Sequence, residues 1–111
     1  MAPVTHLVLF QFKADITAAV VAGTMTDMLN LKDKCIHPET GRPYIRSLTG
    51  GKDNSPEGRQ DGITHAFVVE FESEEDRDYY VGKDPAHLAF VQNNGQHLTK
   101  AVVTDFSAGV F

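Results

Sequence analysis

The 111-residue sequence has no tryptophan, a single cysteine and few basic residues. Each shortage removes a class of protein. A lone thiol, Cys35, cannot close an internal disulfide, which excludes a secreted disulfide scaffold. No stretch approaches the ~20 consecutive apolar residues of a membrane span, so no membrane partner is expected. Ten Lys and Arg stand against fifteen Asp and Glu, a formal charge of −5. Nucleic acid and anionic lipid are held by excess positive charge, so nucleic acid is not expected as a partner either. The start, Met1-Ala2-Pro3-Val4-Thr5-His6, lacks the basic segment and apolar core of a signal peptide, which predicts a cytoplasmic location. Metal-site patterns are missing: there is no CxxC, HxH or HExxH, and Gly50-Gly51-Lys52 lacks the spacing of a phosphate loop.

What remains is an ordinary globular composition, 41% hydrophobic and 23% charged, too apolar for a disordered chain. The length predicts one domain over residues 1–111. A chain of this size buries only about two-thirds of its unfolded surface, so an extra packed interface would add much to its stability.

Thr5 to Phe12 is rich in β-formers and predicts a strand, with His6, Val8, Phe10 and Phe12 on one face and Leu7, Leu9 and Gln11 on the other. Asp15 to Lys34 predicts a helix capped by Asp15 or Thr17, with an apolar stripe of Ala18, Val21, Ala22, Met25, Met28 and Leu29. Pro38, Gly41 and Pro43 mark a loop, and Tyr44 to Leu48 a short second strand. Residues 50–62 hold four glycines and a proline and predict a long, mobile connection. Thr64 to Phe71 predicts a third strand, bulky on the side of His65, Phe67, Val69 and Phe71. Ser73 with Glu74-Glu75-Asp76 opens a helix that Gly82 ends. Asp84-Pro85 opens another, ended by Gly95, with His87, Phe90, Val91 and Asn94 on one face. Ala101 to Phe106 is the last strand, and Ser107 to Phe111 is apolar enough to pack on something.

The order is β-α-β-β-α-β. A right-handed crossover places the third strand between the first two and gives a four-stranded antiparallel sheet with helices on one face. The other face, with Leu7, Leu9, Ala66, Val68 and Val102, is left bare. A second copy of the same sheet covers it most simply, which predicts a homodimer. The rival is a monomer whose loop or C-terminal tail wraps the sheet.

His87 falls near the third residue of its helix, where the dipole favours a neutral ring and the capping Asp84 opposes it. It reads either as a base or as a buried histidine bonded to a backbone carbonyl. Tyr80 reads as a hydrogen-bond partner of His87 or of a substrate oxygen, or as an amphipathic residue at the core rim. His6 reads as a ligand-orienting or a core histidine. His65, on an antiparallel neighbour, is expected ~20 Å from His6 and outside its site. His37 and His97 are expected in solvated loops, and Cys35 as a packed thiol.

Thr5-His6-Leu7-Val8-Leu9-Phe10, Gly62-Ile63-Thr64-His65, Asp84-Pro85-Ala86-His87-Leu88-Ala89-Phe90 and Val103-Thr104-Asp105-Phe106 together resemble the stress-responsive A/B barrel (Dabb) domain family. The resemblance spans nearly the whole chain in matching order. It implies an α+β, ferredoxin-like βαββαβ fold that pairs into a dimeric α/β barrel. It also implies a small hydrophobic pocket with no metal and no organic cofactor. A polyketide cyclase of this kind works with a histidine base and a tyrosine. On that likeness His87 is the base and Tyr80 its partner, with Tyr79 the other candidate, and His6 lines the pocket. A tyrosine of that cyclase's first helix is replaced here by Met28, which departs from its pattern. Val8, Phe10, Met28, Phe67, Val69 and Phe90 are expected to line the pocket. Two functions follow: cyclase-like acid–base chemistry on a small hydrophobic, carbonyl-bearing ligand, or a non-enzymatic stress-response or interaction protein whose pocket is filled by its own side chains.

Overall fold

The computed structural model describes residues 2–111. Seven elements follow in order: β1 (Val4–Phe12), α1 (Ala18–Lys34), β2 (Ile45–Lys52), β3 (His65–Phe71), α2 (Glu74–Gly82), α3 (Pro85–Asn94) and β4 (Leu98–Phe106), with a 3-10 turn at Gly95–His97. The strands form one antiparallel sheet in the order β2-β3-β1-β4. β3 lies between β1 and β2, as the crossover argument requires.

The period-two pattern decides which side is core. Val4, His6, Val8, Phe10 and Phe12 of β1 are buried, as are His65, Phe67, Val69 and Phe71 of β3. They pack against Met28 and Leu31 of α1, Tyr80 of α2 and Phe90 of α3. Burial of each large apolar side chain contributes about 1.5–3 kcal/mol. The opposite face carries Leu7, Leu9, Val68, Val102 and Phe106 with no helix above it, and Val68 and Val102 remain 37% exposed. The tail does not cover it: Val110 and Phe111 are open to solvent, contrary to the expectation that this segment packs.

The caps form as their residue types demand. The Thr17 hydroxyl accepts from the Val20 amide, the Ser73 hydroxyl from Asp76, and the Asp84 carboxylate from Ala86 and His87. The helix therefore begins after Thr17 rather than at Asp15.

The buried stripe of α1 differs from the apolar one. Thr24, Met28 and Leu31 are buried, with Val21 and Met25 partly so, while Ala18, Ala22 and Leu29 face outward. Thr24 turns inward because it has polar partners there. Its hydroxyl donates to Asn94 Oδ1 at 2.9 Å and accepts from His97 Nδ1 at 3.2 Å. Asn94 Nδ2 donates onward to Asp27 Oδ2 and the Phe90 carbonyl. This cluster ties α1 to α3.

β2 runs through Gly50 and Gly51 to Lys52 instead of stopping at Leu48. Gly50 lies opposite Phe67, and a Cβ there would come within 2.2 Å of the Phe67 ring and 2.8 Å of the Ala66 carbonyl. The missing side chain is what lets the Phe67 ring lie against the strand backbone. The connection from Asp53 to Thr64 is pinned rather than loose. Asp53 accepts from the Ser55 amide and from Gln60 Nε2, and its own amide donates to the Thr64 carbonyl.

Gly50→Ala should destabilise the fold by about 1–3 kcal/mol, because the clash outweighs the gain from a less flexible unfolded chain. Urea denaturation checks this, and an unchanged midpoint would show that Phe67 is not held where the register puts it.

Candidate active site

The helices cover β1 and β3 but leave the edge strand β4 open. Val103 lies opposite Val8, on the helix-facing side of the sheet, yet is 56% exposed. A cavity of about 370 Å³ fills the space between this edge and α3. Its floor is apolar: Val8 and Phe10 from β1, Met28 from α1 and Phe90 from α3. Its polar end is formed by His6, Tyr80 and His87. Asn94, Leu98 and Ala101 complete the wall toward the mouth.

His87 is the third residue of α3, placed there by the cap at Asp84 and Pro85. Burial lowers its pKa below the usual 6.5, with the nearby His6 acting in the same direction. The Tyr80 backbone carbonyl and the Asp84 carboxylate pull the other way. The ring is therefore neutral near pH 7, as expected, but desolvation rather than the dipole is the main cause. Nδ1 is buried and makes no well-formed hydrogen bond, even to that carbonyl, which leaves Nε2 for a ligand in the cavity.

Tyr80, not Tyr79, faces His87. The two rings lie 4.1 Å apart with planes 30° from parallel. The rings meet face to face at a tilt, and neither the Tyr80 hydroxyl nor His87 Nδ1 makes a hydrogen bond, so of the expected partners of that hydroxyl His87 is not one. The Tyr80 hydroxyl is buried without a partner, and burial raises its pKa further above the phenol range. It stays protonated, able to donate and not to act as a base.

His6 has the strongest support of the three. Antiparallel register places it opposite Asp105 of β4, and its Nδ1 lies 2.6 Å from Asp105 Oδ1. A carboxylate oxygen only accepts, so Nδ1 donates and Nε2 is the nitrogen left for the cavity. Arg77 NH1 of α2 donates to Asp105 Oδ2 at 2.9 Å. The His6 ring is wedged edge-on against Phe71 and Tyr80, with centroids at 6.0 and 5.7 Å.

Behind the cavity Asp84 is 1% exposed. One of its oxygens caps α3 and the other accepts from the Tyr44 hydroxyl at 2.6 Å. The Cys35 thiol lies in the same cluster, where burial first and the Asp84 charge second push its pKa far up. Cys35 is thus a packed thiol and not a thiolate nucleophile.

The cavity therefore brings together His6, Val8, Phe10, Met28, Tyr80, His87 and Phe90. Phe67, Val69 and Tyr79 do not line it. Phe67 and Val69 lie on β3, one strand farther from the β4 edge, within the hydrophobic core, and Tyr79 turns its ring to Tyr44 at 5.7 Å. His65 sits opposite Phe10 and His6 opposite Val69, four residues along the sheet, or about 13 Å. That is nearer than the ~20 Å from strand counting, but still too far to share a small ligand. His37 and His97 are half-buried rather than solvated. His37 accepts from the Glu39 and Thr40 amides, and His97 meets Thr24. Asp105 and Arg77 are the residues that sequence reasoning missed. The signal that could have found Asp105 is the antiparallel register of the first and last strands.

Comparison with known proteins agrees with this architecture. The family model described as Stress responsive A/B Barrel Domain matches residues 4–108. Olivetolic acid cyclase from Cannabis sativa is 29% identical over 105 residues, covering 94% of this chain and 95% of that protein. The crystal structure of an Arabidopsis thaliana protein superposes with a TM-score of 0.82 at 29% identity, covering 97% of both chains. Hydroxynitrile lyase from Passiflora edulis gives a TM-score of 0.81 at 25% identity, over 99% of this chain and 97% of that one. A dimeric ferredoxin-like protein from Thermobifida fusca, 20% identical, shares the fold with a TM-score of 0.74 over 96% of this chain and 91% of that one. With the family model covering nearly every residue of the sheet and helices just described, the chain belongs to the stress responsive A/B barrel domain (Dabb) family.

Proposed function

We propose that each subunit of a homodimer holds a small apolar, carbonyl-bearing ligand in this cavity and moves protons on it, without need of a metal or organic cofactor. The observation that carries this is the pairing of two histidines on one cavity, one kept neutral by burial and the other oriented by a carboxylate. The apolar floor supports a hydrophobic ligand, and 370 Å³ is within the range of small-molecule sites. A cavity of this size favours ligand binding over the reading in which the protein's own side chains fill the pocket.

His87 Nε2 is the base for a proton on carbon or oxygen next to the ligand carbonyl. His6 is the second proton carrier, and the Asp105 carboxylate offsets the positive charge its ring takes on while carrying one. This changes the expected pair. The polar partner of His87 across the cavity is His6, and Tyr80 supports the His87 ring by stacking. Olivetolic acid cyclase is named for closing a ring and hydroxynitrile lyase for splitting a hydroxynitrile, a cleavage that leaves a carbonyl group. The chain's likeness to the second supports that substrate class.

The bare sheet face supports the dimer, as do related structures described as dimeric. A second copy laid face to face would bury Leu7, Leu9, Val68 and Val102 between two sheets.

Three outcomes are expected. The protein should speed deuterium exchange at the central carbon of a small β-diketone probe, followed by NMR, and His87→Gln should slow this by about 10²-fold or more. Equal rates in both proteins, with no diketone binding by calorimetry, would leave the interaction-protein reading in its place. The His87 ring should titrate by NMR with a midpoint below 6.5. Because the unfolded ring binds its proton first as pH falls, its contribution to stability is intact above 6.5 and is lost below it. His65, lowered by burial and by Lys52, adds to the same slope, so His87→Gln should flatten but not abolish it. Finally, Leu9→Lys with Val102→Lys should turn a dimer into a monomer in native mass spectrometry while leaving the far-UV spectrum unchanged.

A further inference from the structure

His6 is fixed in plane by the aromatic rings of Phe71 and Tyr80, but packing alone does not decide which nitrogen faces the cavity. An imidazole turned by 180° occupies nearly the same volume. Only a hydrogen bond separates the two settings, and that bond comes from Asp105. Yet Asp105 lies on the edge strand with its side chain 21% exposed, where a carboxylate is free to turn toward water. A second contact is needed to keep it on His6.

Arg77 supplies that contact. We propose that Arg77 is a positioning residue for His6: it holds Asp105 in the rotamer that meets His6 Nδ1 and so keeps Nε2 aimed into the cavity. The carboxylate is shared between the two, Oδ1 to His6 at 2.6 Å and Oδ2 to Arg77 NH1 at 2.9 Å. With both oxygens engaged, neither torsion of the Asp105 side chain is free. Arg77 is itself held. Its Nε donates to Asp78 at 2.7 Å and its NH2 lies 3.7 Å from Glu74. These two acids sit on α2 beside it, so the helix delivers the guanidinium to β4 in one orientation. Contacts to Asp78 first and Asp105 second raise the Arg77 pKa, so the group is always charged. A partly exposed ion pair of this kind contributes little stability on its own. Its effect is on the direction of a proton-carrying atom.

The purpose of this arrangement rests on the acid–base reading of the cavity, but the arrangement can be tested apart from it. Long-range proton–nitrogen NMR of the labelled full-length protein at mildly alkaline pH reports which His6 nitrogen carries the proton. The wild-type protein is expected to hold His6 as the Nδ1–H form, opposite to the Nε2–H form that a free histidine side chain prefers. Arg77→Met should raise the Nε2–H fraction of His6 at least about twofold, with His87 signals unchanged as a control for folding. Arg77→Lys keeps one donor and should recover most of the wild-type form. Asp105→Asn, which offers Nδ1 either an oxygen or an amide, should give a mixture. His6 remaining wholly Nδ1–H in Arg77→Met would reduce Arg77 to a surface ion pair and overturn the proposal. So would an Nε2–H form in the wild-type protein. Failure of diketone exchange with the His6 result intact would instead overturn the acid–base reading and leave the positioning role standing.

Discussion

The buried Asp84 carboxylate is the contact on which the site depends. It receives the first amides of α3, the Tyr44 hydroxyl from the entry to β2, and the neighbourhood of Cys35 at the end of α1. Three separate parts of the chain thus converge on one charge. Leaving a buried carboxylate without such partners would cost several kcal/mol, so the convergence is strongly specified. It fixes where α3 begins, and therefore where His87, two residues further on than the first helical position, enters the cavity. The break between α2 and α3 is what turns Tyr80 and His87 toward each other, because Lys83 ends one helix and Asp84 starts the next.

Much of this was legible in the sequence, and the rest was hidden for definite reasons. Alternation along Thr5–Phe12 and Thr64–Phe71 gives the core face directly, since side chains in strands can point only two ways. Asp84-Pro85 marks a helix start through local chemistry alone. The α1 stripe was misread because hydrophobicity carries no information on distant partners. Thr24 is buried on account of Asn94, seventy residues later, while Leu29 is left outside. Gly50 and Gly51 looked like loop because glycine is a poor strand former; the Phe67 ring lying against Gly50 explains why a glycine stands in the strand there. Phe67 and Val69 share the bulky face with the lining residues, and parity alone does not say which strand lies next to the cavity. Asp105 and His6 are ninety-nine residues apart, so their pairing exists only once the register of the first and last strands is known.

The two histidines are supported in opposite ways. His87 rests on desolvation and the stacked Tyr80 ring, and has no polar partner of good geometry. His6 rests on a carboxylate tied to an arginine. One ring is governed by what surrounds it and the other by what it is bonded to. Such a contrast in one cavity gives two chemically unlike nitrogens from the same residue type. Proteins to which the chain is similar are named for different reactions, so the shared scaffold does not by itself fix an activity.

The cavity is polar at one end and greasy at the other, and the two ends are built by different stretches of chain. Met28, on α1, shapes the apolar floor, whereas the Asp105–Arg77 support and the Asp84 cap come from β4, α2 and the start of α3. An exchange at that position can lengthen, shorten or reshape the hollow while the two histidines keep their supports. The architecture thereby separates the shape of the cavity from the placing of its polar atoms. Descendants of one ancestral scaffold could diverge in the space they enclose through single changes in a helix that carries neither histidine.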